Sequence, residues 1–317
     1  MEDLADYRAM WVEPVRASHR DYELYANGLP DHGGVNTIEA LRLYELSGLV
    51  DKGHFARSPE SLFWMAQFHR VSMVNYLTPQ VVKLLAPSLD LSLESRMKPE
   101  TTTKMWNLTQ QGQFRLAPAP LVDTPKHSDA IVAVDRWGNM AAVVHSINTV
   151  MWGKTGIVVD GVSVSDSASF QQNQIASTGA GERLPGPTNP LIVMKGGSPY
   201  LACSSMGSGL QLKTTQCLIN VLDFGMSPKE AIEAPYLMFP EYSALGTVTQ
   251  RVLKGAIEPS VLDRTRKLGL KIKELPQNSR YAQGLWVGIT VDRKTGEYAA
   301  GSPDVTNGQA IALEMSP

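Results

Sequence analysis

Cysteine is nearly absent from this 317-residue chain, which holds only Cys203 and Cys217. Two thiols cannot supply a disulfide framework. One stands in an apolar strand pattern and the other in a helical one, so both are assigned to core packing. An excess of either charge is also lacking. The 29 basic and 31 acidic side chains leave a formal net charge of −2 without a long run of either sign, so neither a nucleic-acid groove nor a membrane-surface helix is expected. The six histidines, His19, His32, His54, His69, His127 and His145, show none of the paired spacings of a zinc site, and no metal is expected. No apolar run approaches the roughly 20 residues of a membrane span, and no signal peptide opens the chain. The expectation is a soluble, cytoplasmic protein without nucleic-acid or membrane partners.

What is present is a helical first part and a later part dominated by hairpins. Residues 37–48 place Ile38, Leu41, Leu43, Leu46 and Leu49 near helical spacing, and residues 61–77 do the same with Leu62, Phe63, Met65, Phe68, Val71 and Val74. Segment 78–126, with Pro99, Pro118, Pro120 and Pro125, reads as an irregular surface connector. Alternation then takes over. Ala130–Val134 and Met140–Ser146 flank the turn 135–139, Leu191–Lys195 and Tyr200–Ser204 flank Gly196-Gly197, and Leu285–Val291 and Glu297–Ala300 flank the turn 292–296. A helix is expected over 211–223. A second begins at a capping box, Ser227 with Pro228 and Glu230, and a third runs over 260–268 to Gly269. The fold class this implies is α+β, with mainly antiparallel sheets covered by helices.

Residues 127–148 form a hairpin pattern with a hydroxyl, Ser128, at its first position. If the peptide bond before Ser128 is cut, that residue gains a free α-amine. The amine can serve as general base for its own side-chain oxygen, so one residue supplies nucleophile and base together. A serine capping the start of a strand in an uncut chain is the alternative.

Several stretches, in one order along the chain, carry a resemblance. They are Asp3-Leu4-Ala5-Asp6-Tyr7 with Val12-Glu13-Pro14, then Gly28-Leu29-Pro30-Asp31-His32-Gly33-Gly34, then residues 130–161 with Val134-Asp135, Gly138-Asn139, Ile147-Asn148-Thr149 and Thr155-Gly156-Ile157-Val158, and finally Asp223-Phe224-Gly225-Met226 and Glu233-Ala234-Pro235. Together they resemble the C-terminal part of the large subunit and the whole small subunit of the γ-glutamyltransferases (glutathione hydrolases). That family consists of self-cleaving zymogens, N-terminal-nucleophile (Ntn) hydrolases with an αββα sandwich. The resemblance implies residues 1–127 as a large-subunit-like remainder and 128–317 as a small-subunit-like catalytic region, both parts of one structural domain. The family's N-terminal portion, with an arginine for the glutamyl carboxylate, has no counterpart in this sequence. The implied partners are a small-molecule or peptide amide substrate, and either further copies of the chain or another chain supplying that portion. No cofactor is implied.

The resemblance also implies roles. Ser128 falls on the nucleophilic threonine, with self-cleavage at His127/Ser128 through an N-to-O acyl shift. Lys126 and Asp129 flank that bond and tune cleavage. Ser146 falls on a second threonine that contacts the nucleophile, and Asn148 on an asparagine near the substrate carboxylate. Ser208 and Gly209 fall on the glycine pair of the oxyanion hole, and a one-residue shift would include Gly207; a plain glycine-rich turn is the alternative. The family's glutamine and aspartate for the α-ammonium fall on Asp166 and Ser169, and its serine pair on Gly186-Pro187, which removes two hydroxyl donors. Arg183 is a candidate for a substrate carboxylate, with a solvated loop arginine as the alternative. The resemblance implies cleavage of a γ-glutamyl or related amide. The rivals are an amidohydrolase or acylase of different acyl specificity, and an uncleaved, catalytically silent homologue acting as a subunit or binding module.

Overall fold

The structure is a computed structural model that describes residues 7–72, 86–112, 128–146, 155–163, 175–176, 178–242, 247–279, 284–304 and 308–312. Strands β1 Val15–His19 and β2 Tyr22–Ala26 come first, followed by helices α1 Gly33–Leu46, α2 Pro59–Ser72, α3 Leu93–Arg96 and α4 Pro99–Gln110. Next are the hairpin β3 Ser128–Val134 and β4 Met140–Ser146, the short pair β5 Val158–Val159 and β6 Val162–Ser163, and the hairpin β7 Leu191–Lys195 and β8 Ser198–Met206. Helices α5 Leu210–Leu222 and α6 Pro228–Glu233 lead to β9 Met238–Tyr242 and β10 Val248–Leu253. Helix α7 Pro259–Lys267, β11 Ile272–Leu275, β12 Leu285–Val291 and β13 Tyr298–Gly301 complete the order.

The main sheet has six strands in the order β1-β2-β7-β8-β12-β13, and every neighbouring pair is antiparallel. Helices α1, α5 and α6 pack on one side of it, and the β3–β4 hairpin lies over β8, β12 and β7 on the other. This is why the centre of β8, Leu201 to Ser205, is buried on both faces, a pattern expected only of a strand covered above and below. A second sheet, β11-β10-β9, joins the parallel pair β10–β11 to the antiparallel pair β9–β10. The fold is α+β with mostly antiparallel sheet. Strands from before and after Ser128 share the six-stranded sheet, and one apolar cluster runs from Val15 to Trp286. Trp286 is fully buried on β12, and Gly288 stays free of side chain because a Cβ there would meet the Trp286 ring at 2.2 Å.

The helices and hairpins anticipated in the sequence are present, with shifted ends. Helix α1 starts four residues earlier than its apolar spacing indicated, because Gly33 and Gly34 are themselves helical. Both hydrogen bonds of the Ser227/Glu230 capping box form, and Gly269 takes φ 98° just after α7. The connector expectation over 78–126 is corrected for its central part. Ser92 caps α3 by accepting from the Ser95 N–H, and Pro99 opens α4 at its first turn, where a proline costs no hydrogen bond. Residues 78–85 and 113–126 lie outside the described residues. Strands β1, β2, β9, β10 and β11 are additions. They are short: β1–β2 and β9–β10 pair as neighbours in sequence, β10–β11 pair across α7, and β2–β7 joins segments far apart in the chain.

A buried ionic cluster ties the helices. Arg96 on α3 and Glu39 on α1 are both fully buried. Arg96 Nε donates to Glu39 Oε1 at 2.9 Å, and Nη2 donates both to the Asn36 side chain at 2.9 Å and to Glu39 Oε2. Arg96→Met should lower the unfolding free energy by about 3–5 kcal/mol, because Glu39 would then be a buried charge without its cation; urea titration measures this. His69 on α2 is buried, which pushes its imidazole pKa down to about 3. The unfolded chain takes up that proton near pH 6.5, so stability present above that pH should fall as pH drops toward 3. The slope from this one group is up to about 1.4 kcal/mol per pH unit. Unfolding curves at pH 7, 6 and 5 should show the decline, and His69→Gln should flatten it.

Candidate active site

The site begins with a turn. Asp135 Oδ1 accepts from the Trp137 and Asn139 N–H groups at 2.9 and 2.8 Å, and Oδ2 accepts from the Asn139 amide at 2.8 Å. These donors, the Asn139 side chain foremost, hold the Asp135 carboxyl below its ordinary pKa. Gly138 takes φ 80°, a conformation costly for any residue with a Cβ, and the Arg293 guanidinium packs where that Cβ would be. The turn closes Val134 opposite Met140, and the antiparallel ladder then runs back residue by residue to Ser128 opposite Ser146. Ser128 Oγ donates to Ser146 Oγ at 2.7 Å. Strand alternation puts Ser128, Ala130, Val132 and Val134 on the half-buried face and Asp129 and Ile131 on the exposed one. Asp129 faces His145 across the strands at 3.4 Å on that outer side.

Ser128 and Ser146 border a cavity of about 30 Å³ whose other walls include Met206, Gly207, Ser208 and Gln211. That volume suits a water or two. Gly207, at φ 87°, turns the end of β8 into α5, and Gly209 is the residue before the helix. Among the described residues the amide N–H groups of Ser208 and Gly209 have no acceptor. Unsatisfied donors at a helix N-terminus, reinforced by its dipole, favour negative charge. No side chain lining the cavity is ionisable near neutral pH among the described residues.

The opposite wall, Pro187-Thr188, is held by three devices. Gln211 Nε2 donates to the Pro187 carbonyl at 2.7 Å, while its Oε1 accepts from Asn189 at 3.3 Å and from Thr37 at 3.2 Å. Asp31 Oδ1 accepts from the Gly186 N–H at 2.6 Å, and the His32 N–H donates to the Gly186 carbonyl at 3.0 Å. Gly33 lets α1 approach, because a Cβ there would lie 1.9 Å from the Thr188 carbonyl oxygen. Gly33 is therefore a packing device for this wall, whereas Gly34 lets the helix approach Ala26 and the Asn27 carbonyl instead. Gln211 was not picked out from the sequence. No sequence signal singles it out, because the same helix also carries Lys213, Thr214, Thr215, Gln216 and Asn220.

Of the residues singled out in the sequence, the structure brings together Ser128, Ser146 and Ser208, with Gly209 next to them but not on the cavity wall. Gly207, the alternative to Gly209, does line it. Arg183 is elsewhere: its guanidinium stacks 4.4 Å from the Tyr7 ring centroid, donates to the Tyr7 hydroxyl at 3.2 Å and reaches the Arg8 carbonyl. Lys126, His127, Asn148, Asp166 and Ser169 lie outside the described residues. Cys203 and Cys217 are buried in the core, as expected, and burial pushes the Cys217 thiol up to about 11.

Comparison with known proteins agrees with this architecture. The chain is 25% identical over 265 residues to a glutathione hydrolase proenzyme of Escherichia coli, covering 74% of this chain and 43% of that protein. It is 24% identical over 246 residues to the acylase ACY 1 proenzyme of a Pseudomonas species, covering 74% and 42%. The chain thus spans less than half the length of these curated relatives. A cephalosporin acylase from Bacillus halodurans superposes with a TM-score of 0.73 at 22% identity, over 99% of this chain and 55% of that one, a likeness of fold. The sequence pattern of the family described as gamma-glutamyltranspeptidase matches residues 1–313, and the chain belongs to that family.

Proposed function

We propose that this chain carries the nucleophile of an Ntn amide hydrolase or acyltransferase of the γ-glutamyltranspeptidase type, with Ser128 exposed by self-cleavage after His127. The observation that carries the reading is the 2.7 Å contact of Ser128 with Ser146 in a cavity without an ionisable wall, beside helix-terminal N–H donors. No separate side-chain base is needed, because the α-amine released by cleavage serves, with an ordinary pKa of about 7.7–8.0. Ser128 Oγ first attacks the His127 carbonyl, and water hydrolyses the resulting ester. In turnover, Oγ attacks the substrate amide carbon while the α-amine takes its proton. The N–H groups near Ser208 and Gly209 bind the tetrahedral oxyanion. The C–N bond then breaks, the proton passes to the leaving amine, and water or another amine takes the acyl group from Ser128.

The acyl group is γ-glutamyl or a related one. Pro187 and Thr188 wall the cavity where the family resemblance calls for a serine pair ending at Pro187, and Arg183 is engaged with Tyr7 and Arg8. Both observations favour an acyl specificity different from γ-glutamyl as the second reading. The outer face of the β3–β4 hairpin exposes Ile131 and Val143, at 57% and 48%, and the separate β5–β6 pair exposes Val158 and Val159. Exposed apolar faces of this kind mark association sites, so the active form includes a further chain, or a second copy, laid over this sheet.

Intact-mass spectrometry should show two fragments divided at His127/Ser128. A single species near 34.6 kDa that also fails to turn over γ-glutamyl anilides and other acyl anilides would sink the enzymatic reading. Ser128→Ala should abolish both cleavage and turnover. Ser146→Ala should slow them by about ten- to a hundredfold, the effect of one hydrogen bond to a group that gains charge.

A further inference from the structure

A second cavity, of about 440 Å³, opens between α5, α6, β10 and β12, a size ordinary for small-molecule sites. At its inner end is Lys213, on α5 one turn after Gly209 and only 4% exposed. Its Nζ donates to the Ile232 carbonyl at 2.8 Å and lies 4.0 Å from the Tyr236 ring centroid. Among the described residues no carboxylate comes within ion-pair distance of it. A buried ammonium is costly unless paired, yet both of its contacts, a carbonyl oxygen and a ring face, favour the charged form. They account for two of its three N–H groups. Burial nevertheless lowers its pKa, as expected of a cation to which the described residues supply no counter-charge. Gly284 is shaped to this lysine: a Cβ there would lie 2.5 Å from Lys213 Cβ and 2.3 Å from the Gly209 carbonyl oxygen. The remaining charged groups are at the mouth, where Lys229 and Glu233 are exposed and 3.9 Å apart, with Asp304 beside them.

We propose that this groove is a ligand site for a small carboxylate with a flat or apolar body, the carboxylate pairing with Lys213 and the body lying against Tyr236, Leu253 and Leu285. The site is separate from the Ser128 cavity and does not depend on acyl chemistry. It is tested on the full chain by calorimetric titration with sodium benzoate, with benzamide as the uncharged isostere. Benzoate should bind saturably and benzamide at least tenfold more weakly. Lys213→Met should weaken benzoate at least tenfold. Ala300→Trp, which fills the exposed mouth on β13 without touching the core, should do the same with an unchanged melting temperature, and it decides the matter if Lys213→Met fails to fold. Ser128→Ala should bind benzoate as the parent does. The proposal is overturned if the parent shows no saturable binding, if benzamide matches benzoate, if both groove variants bind like the parent, or if Ser128→Ala loses binding.

Discussion

The ladder between β3 and β4 is the constraint on which the site depends. Strand side chains alternate with period two, so a slip of one residue would carry Ser128 to the solvent face and bring Asp129 inward. The Asp135 and Asn139 hydrogen bonds and the Gly138 conformation fix the turn, and the turn fixes the register six residues away. Arg293 adds a tertiary lock by donating to the Gly138 carbonyl at 3.1 Å from the loop between β12 and β13. The short Ser128–Ser146 contact is thus set by groups at the far end of the hairpin.

The second constraint is the junction of β8 and α5. Because β8 is buried on both faces, its end cannot shift without disturbing the sheet, the hairpin above it and the helices below it. The helix terminus is thereby held against the hairpin. Gln211 then connects that terminus to the Pro187 wall and, through Thr37, to α1. A buried amide with its hydrogen bonds met is rigid and directional, which is what a wall beside a reacting atom requires. The same helix presents Lys213 to the other cavity, so α5 borders both.

Legibility followed physical range. The β3–β4, β7–β8 and β12–β13 hairpins with their glycine-bearing turns, the capping box and the Gly269 terminus are local, each set by residues within a few positions of one another, and they were readable. The β1–β2 hairpin, which turns at Arg20-Asp21 without a glycine, was not. The helices of the 86–112 stretch were not, because their proline reads as a breaker until its place in the first turn is seen. Helix α3 is a four-residue element whose Arg96 is buried by Glu39, 57 residues away. Ser128, Ser146 and Ser208 were assigned by family resemblance, and they converge in one cavity. Arg183 does not join them, because its flat guanidinium finds the Tyr7 ring and the Arg8 carbonyl instead.

By itself the sequence determined the α+β composition, the hairpin turns and the family, because periodicity, turn chemistry and ordered motifs are properties of neighbouring residues. Tertiary structure alone decided that Gly33 exists to admit the Thr188 carbonyl, that Gln211 ties a wall to a helix, and that Lys213 is buried at the end of a groove. Each of these joins segments far apart in the chain. Close approach and burial arise only when those segments pack, and no local pattern encodes them.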